Sequence, residues 1–271
     1  MADSSFWGHL DDFRKTLWRI SIVVFAVMVV AFSFKTTLFD ILLAPHKSDF
    51  IIYRAFCLLA ESTGISSLCP PDFSVELINV QLTSPFLIHI SASFYMALLV
   101  TFPFIVFMLF RFVSPALRSN EKKYSFYVLF FSCLCFYTGV LLNYFLIFPL
   151  SFRFLATYQV SESVVNTITL SSYMSTLTML SLMMGAVFEI PVVAWFLAKI
   201  GILKAAFLTK NRKYAVLILL VLAAFITPTS DIFTLLLVFT PIYLLYELSV
   251  IIVKRAGKKP ETKPVALVER A

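Results

Sequence analysis

Hydrophobic positions along this chain fall in long unbroken runs. They do not alternate as in a half-buried strand, nor do they recur as the narrow stripe of a soluble amphipathic helix. Charge-free stretches run from Ile20 to Phe34, from Leu77 to Phe110 and from Tyr124 to Phe152. A fourth begins near Ser163 and continues past Glu189 to about Ile200, a fifth covers Tyr214 to Ser230, and a sixth starts at Ile232 and reaches about Val253. A helix needs about 20 apolar residues to cross a bilayer. Continuous apolarity also excludes the two-residue period of a membrane β-barrel. The pattern therefore predicts an all-α integral membrane protein: one polytopic domain over residues 1–254, with spans near 18–38, 86–112, 124–149, 171–200, 213–226 and 232–253. Residues 255–271 read as a charged, disordered tail. The last two spans read as short, joined by a tight turn at Thr227-Pro228-Thr229-Ser230-Asp231.

Composition agrees. Of 271 residues, 60% are hydrophobic and only 14% charged, against about 25% charged in a soluble domain. The net charge of +7 is distributed by position. Three basic residues precede the first span, four lie at 111–123, five at 199–213 and six from Lys254 onward, whereas the alternate connections hold only Lys35, Lys47, Arg54 and Arg153. Basic residues collect in cytoplasmic loops, so both termini are expected in the cytoplasm of a cell whose inner membrane the chain spans. The first span reads as an uncleaved anchor, since Asp3, Asp11 and Asp12 precede it. No nucleic-acid-binding pattern is visible. No internal repeat of the kind that builds many transporters is visible either.

Four cysteines divide into two pairs. Cys57 and Cys69 share the long first outside connection and are expected to form a disulfide there. Cys133 and Cys135 sit two apart within the third span, on different helix faces, and read as packing residues. The three His (His9, His46, His89) show no metal-ligand spacing. No nucleophile elbow, zinc-protease or phosphate-loop motif occurs. An enzyme and a cofactor are therefore not expected.

Glu189 stands out because a carboxylate inside a span is costly unless it faces protein or water. Ser171, Ser175, Thr178, Ser181 and Gly185 precede it at steps of three or four, on one helix face. That stripe reads either as a polar groove or as close helix packing through small residues. Pro191 removes a donor from the turn beside the acid, so a kink is expected. At the basic face, Asp12 and Glu121 are the other acids of interest, though surface charge alone accounts for either.

These residues together resemble the TatC family, the multi-spanning core of the twin-arginine protein translocase. His9-Leu10-x-Asp12-x-Arg14 is similar to the family's opening motif, and Phe112-x-x-Pro115-x-Leu117-x-x-x-Glu121-Lys122 to its first cytoplasmic loop. Tyr144-Phe145-x-x-Phe148-Pro149 is similar to the end of its third span, and Gly185-x-x-Phe188-Glu189-x-Pro191-Val192 to its fourth. Arg212-Lys213-Tyr214, Thr227-Pro228 with Asp231, and Tyr246-Glu247 resemble its last two helices. The resemblance implies a cup-shaped six-helix bundle that receives twin-arginine signal peptides of folded cargo. It also implies single-span partners of the TatA/TatB type, a multi-copy complex and drive by the proton-motive force. Carried over, Glu121 is the main arginine partner, with Asp12, Arg14 and Asp11 beside it; Asp12 stands where the family has Glu, and Asp11 can share its role. Glu189, Ser175, Thr178 and Ser181 line the groove, while Phe112, Pro115, Pro191, Thr227, Pro228, Asp231 and Glu247 hold the frame or a partner helix. The alternative is a proton-coupled transporter of a small solute, with Glu189 as its coupling acid.

Overall fold

A computed structural model describes residues 6–63, 76–113, 125–158, 167–227 and 231–256. The described chain is helical apart from one two-residue strand pair. Five helices are long and apolar enough to cross a membrane: Leu10–Ser33, Ser84–Phe112, Tyr127–Thr157, Leu170–Lys199 and Ile232–Ala256.

The first helix, α1 (Phe6–Ser33), begins a dozen residues ahead of the apolar run and carries the opening motif on its first turns. It breaks at Phe34 into α2 (Lys35–Leu43), followed by a 3₁₀ turn at Ala44–His46 and by α3 (Ile51–Thr63). Over residues 35–63 the first connection is thus largely helical where the sequence suggested no regular element. Next come β1 (Leu77–Ile78) and α4 (Ser84–Val113). The third span is α5 (Ser125–Leu142), a π-helical turn at Asn143–Ile147, and α6 (Phe148–Thr157). It therefore runs eight residues beyond the expected end at 149. The wide turn ends just before Pro149, which then occupies the first turn of α6, where a missing N–H costs little.

β2 (Ile168–Thr169) pairs in parallel with β1 and ties the two connections at this end of the bundle. The fourth span is α7 (Leu170–Phe188) and α8 (Ile190–Lys199). A short α9 (Ala205–Lys210) leads to α10 (Arg212–Ile226) and α11 (Ile232–Ala256). With 15 residues, α10 is short, as expected, at about 22 Å. The expectation of a short last helix is corrected. α11 has 25 residues, about 37 Å, three beyond the expected end at Val253, and its Glu247 is paired with Arg212.

α1 lies against α4, α5 against α7, and α11 against α8 and α10. The centre is α7, whose Leu177, Leu180, Ser181 and Met184 are fully buried. Outward faces stay apolar, as with Phe25 and Val29 on α1 or Leu217 and Phe225 on α10, which suits a lipid solvent. The α5–α7 contact is set by two glycines. A Cβ on Gly139 would stand 2.6 Å from the Met184 carbonyl oxygen and 2.8 Å from the Phe188 ring. A Cβ on Gly185 would stand 2.6 Å from the Phe136 ring. Each helix thus drops a phenylalanine onto the other's glycine.

Three tyrosines fasten α2 and α3 over the end of the bundle. Tyr144 and Tyr173 donate to the carbonyls of Ile41 (2.6 Å) and Leu42 (3.0 Å) in the last turn of α2, and Tyr53 donates to the Pro149 carbonyl at 2.8 Å. Carbonyls of a final helical turn lack a regular intrahelical donor; Tyr173 supplies one to Leu42, and Tyr144 adds a second to Ile41, which also accepts from the Ala44 N–H. Burial pushes the Tyr53 phenol up to about 12, against an opposing pull from the Arg153 guanidinium, so it stays a donor across the ordinary pH range. Cys57 on α3 is disulfide-bonded, and Cys133 and Cys135 are free. Cys69 lies outside the described residues.

Two outcomes are expected. Gly139→Ala lowers the melting temperature in detergent more than Gly185→Ala, because a backbone carbonyl yields less readily than the Phe136 ring. Each insertion costs about 1–3 kcal/mol. Peptide mapping without reductant recovers Cys57 linked to Cys69; two free thiols at these positions would refute that pairing.

Candidate functional site

The fourth span is interrupted where Pro191 predicts. α7 stops at Phe188, and α8 begins at Ile190 with Pro191 in its first turn. Proline cannot donate to the Val187 carbonyl, so the helical ladder breaks there. Glu189 sits in the break. Its N–H turns to the Ala186 carbonyl (3.1 Å) and to that of Val187, while its own carbonyl accepts from Val193 (2.9 Å) and starts α8.

The Glu189 side chain points to α5. Oε2 accepts a hydrogen bond from Ser132 Oγ at 2.7 Å. Oε1 is buried and has no hydrogen-bond partner among the described residues. The acid edges an open pocket of about 300 Å³ lined by Phe102, Val106 and Phe110 of α4, Val128 of α5, and Val192 and Phe196 of α8. All of these are apolar, so the carboxyl group is the pocket's strongest hydrogen-bonding function. One oxygen is anchored, and the other is buried without a partner among the described residues.

The small-residue stripe leading to Glu189 divides into two kinds of contact. Gly185 is closed by the Phe136 ring, which is helix packing. Ser181 is fully buried and accepts from Asn143 Nδ2 at 2.8 Å. Tyr95 of α4 also bonds it through its side chain. Ser175 and Thr178 turn back to carbonyls of their own helix, Ser172 (3.1 Å) and Met174 (2.8 Å). Ser171 is exposed. Helix packing is thus realised at Gly185 and a buried polar contact at Ser181.

Asn143, Ser132 and Tyr95 escape a sequence reading that screens spans for charge. Asn143 has no exposed surface and sits at the start of the π-helical turn. The available signal was a lone amide in an apolar run, which in lipid calls for a partner just as a charge does.

At the opposite end of the bundle from the tyrosine cap, Asp11, Asp12 and Arg14 are exposed on α1. Arg14 pairs with Asp11 at 3.2 Å, leaving Asp12 without an ion pair among the described residues. Phe13, between them, meets Phe112 at the end of α4, with ring centroids 5.4 Å apart. The acidic start of α1 is thereby held beside the point where the 114–124 segment begins. Glu121 and Pro115 belong to that segment and lie outside the described residues, as does Pro228.

The remaining frame residues have structural partners. Asp231 caps α11, its Oδ2 accepting from the Thr234 N–H at 2.6 Å. Thr227 donates its hydroxyl to the Ala223 carbonyl at 3.0 Å. Glu247 accepts from Arg212 (2.9 Å) and from the Tyr243 hydroxyl (3.3 Å), which pins the start of α10 to α11. Among the described residues no group of His, Cys, Asp and Glu could hold a metal ion.

The Ser132–Glu189 bond gives a direct expectation. Ser132→Ala strands a buried carboxyl oxygen and costs about 1–3 kcal/mol of stability. The same change made on top of Glu189→Leu costs much less. Unfolding of the four proteins in detergent, read as a double-mutant cycle, measures the coupling.

Comparison with known proteins places these features. The family model described as Sec-independent protein translocase protein (TatC) matches residues 8–241. TatC of Blattabacterium sp. subsp. Periplaneta americana is 35% identical over 257 residues, covering 94% of this chain and 96% of that protein. TatC of Campylobacter jejuni is 32% identical over 256 residues, with the same coverage of each chain. Among solved structures, the crystal structure of the twin arginine translocase receptor TatC superposes with a TM-score of 0.73 at 30% identity, covering 92% of this chain and 100% of that one. The same receptor in DDM gives 0.72. A helix broken at a half-buried acid, an acidic early segment of α1 held against the end of the second span, and matches over nearly the whole chain converge: this protein belongs to the TatC family of Sec-independent protein translocase proteins.

Proposed function

We propose that this chain is the signal-peptide receptor of a twin-arginine translocase in the inner membrane, with both termini in the cytoplasm. The six spans form a cup, and α10 crosses at a place where the bilayer thins to meet it. The observation that carries the reading is the Phe13–Phe112 contact. It sets the free carboxylate of Asp12 next to the segment that bears Glu121, so two acids can serve two arginines.

Chemistry favours this use. A guanidinium is planar, permanently charged, and forks two N–H groups onto one carboxylate. Glu121 takes one arginine of the signal, and Asp12 takes the other. Asp12 is preferred over Asp11, since Arg14 already occupies Asp11. The apolar part of the signal then lies along the concave face of the bundle.

Glu189 serves a second step. Its unoccupied Oε1 accepts a hydrogen bond from a polar side chain on a single-span partner helix of the TatA/TatB type, whose apolar flank fills the pocket. Several copies assemble in this way, and the proton-motive force drives transport of folded cargo. A small-solute transporter is not favoured by any feature of the pocket, which offers a solute only the hydrogen-bonded Ser132–Glu189 pair among apolar side chains.

Binding of a fluorescent twin-arginine signal peptide to the protein in nanodiscs tests the site. Glu121→Ala is expected to weaken it by about ten- to a hundredfold, the loss of one charge-assisted pair. Asp12→Ala weakens it by a similar factor, and Asp11→Ala by less. A twin-lysine peptide binds the wild type more weakly and is insensitive to which acid is removed. Unchanged twin-arginine binding in Glu121→Ala would overturn the assignment.

A further inference from the structure

The connection from α8 to α10 is a built platform at the membrane surface. Gly201, at φ +81°, turns the chain sharply after α8, and the N–H groups of Ile202 and Leu203 both return to the Leu197 carbonyl, at 3.0 and 3.1 Å. A non-glycine residue adopts that backbone angle only at a cost. The far side is fixed to α11: Tyr246 donates to the Leu208 carbonyl at 2.8 Å, and Arg212 bonds Glu247. What this rigid segment presents outward is mixed. Ile202 is 70% exposed and Phe207 62%. Lys204 and Lys210 flank them, and both are exposed.

The charge of this segment is unbalanced. From Lys199 to Tyr214 the chain contains no Asp or Glu. The acid supplied from α11, Glu247, is taken by Arg212. Lys204, Lys210 and Lys213 form no ion pair with a described carboxylate. The Lys213 ammonium lies 5.1 Å from the Tyr214 ring centroid and that of Lys199 5.8 Å from the Trp195 ring centroid, and amphipathic aromatic rings are typical of headgroup depth.

We propose that the α8–α10 connection is a binding surface for anionic phospholipid. Ile202 and Phe207 enter the acyl boundary, while Lys204 and Lys210 hold the headgroup phosphate. Exposed apolar side chains at the end of a membrane-length helix need hydrocarbon, and lysines among them need anions; an anionic lipid supplies both in one molecule. A zwitterionic lipid satisfies only the first, and an acidic soluble peptide only the second. Lipid held here steadies the entry to α10, a helix with few buried residues of its own. The inference rests on the membrane reading of α7–α8 and α11 and is independent of the signal-peptide assignment.

The full chain in phosphatidylcholine nanodiscs, doped with a photoactivatable phosphatidylglycerol or with its phosphatidylcholine counterpart, provides the test. Peptides covering residues 199–214 are expected to be labelled preferentially by the anionic probe. Lys204→Gln with Lys210→Gln reduces that preference by roughly fivefold for each lysine neutralised, and the double Lys→Arg variant keeps it. Phe207→Ser lowers labelling by both probes. Equal labelling of the wild type by the two probes would overturn the proposal, as would an undiminished preference in the double Gln variant. Signal-peptide binding measured in the same discs separates this outcome from the receptor reading: the double Gln variant is expected to bind the twin-arginine peptide as the wild type does.

Discussion

A backbone in hydrocarbon can leave no carbonyl or amide without a partner, and every irregularity of this structure lies where that demand is met by other means. The break at Phe34 is followed by α2, whose last carbonyls receive the hydroxyls of Tyr144 and Tyr173. The π-helical turn at Asn143–Ile147 widens the third span just before Pro149, and the Pro149 carbonyl receives Tyr53. The break at Glu189 arises because Pro191 has no N–H to give. In water such interruptions would be filled by solvent. Here side chains from other helices meet the structure at or near these breaks, Tyr53 at Pro149 and Ser132 at the Glu189 carboxylate.

Close approach makes that recruitment possible. Gly139 and Gly185 let α5 and α7 come together until a phenylalanine from each covers the other. At that separation Ser132 reaches Glu189, and Asn143 reaches Ser181. The polar contacts are therefore consequences of steric fit. Burial of α7 in the middle of the bundle holds the acid at a fixed place, with one oxygen bound and the other facing an apolar pocket. A carboxyl group so placed is poorly suited to selecting a solute and well suited to greeting one polar side chain on an otherwise greasy helix.

The two ends of the molecule are built differently. One carries a folded cap of short helices, tyrosine hydrogen bonds, a disulfide at Cys57 and a two-residue strand pair. The other carries exposed charge: Asp11, Asp12 and Arg14 at the start of α1, Arg111 at the end of α4, and the lysines between α8 and α10. Acids in a predominantly basic rim form local wells in a positive field. On the proposed reading, a ligand with paired guanidinium groups seeks those wells, whereas lipid phosphates seek the bases around them. Receptor and anchor functions can thus share one surface without competing for the same side chains.

Much of this was legible in the residues alone. Apolar run length gave an all-α membrane domain, the shortness of the fifth helix and the break at Glu189-x-Pro191, because solvent identity and a missing donor act locally and leave a local trace. The motifs spread from His9 to Glu247 identified the family. Other features had no local trace. The helical cap hid in a segment of ordinary composition, since its order comes from tyrosines about a hundred residues away. The partner of Glu247, Arg212 at the start of α10, lies 35 residues away and is supplied only by folding. Asn143 and Ser132 drew no notice as uncharged residues, and their roles follow from which helix faces two glycines bring together. Sequence thus determined which stretches would be helices in lipid, whereas tertiary structure decided which polar atoms meet, because a hydrogen bond is specified by a distance that no single helix contains.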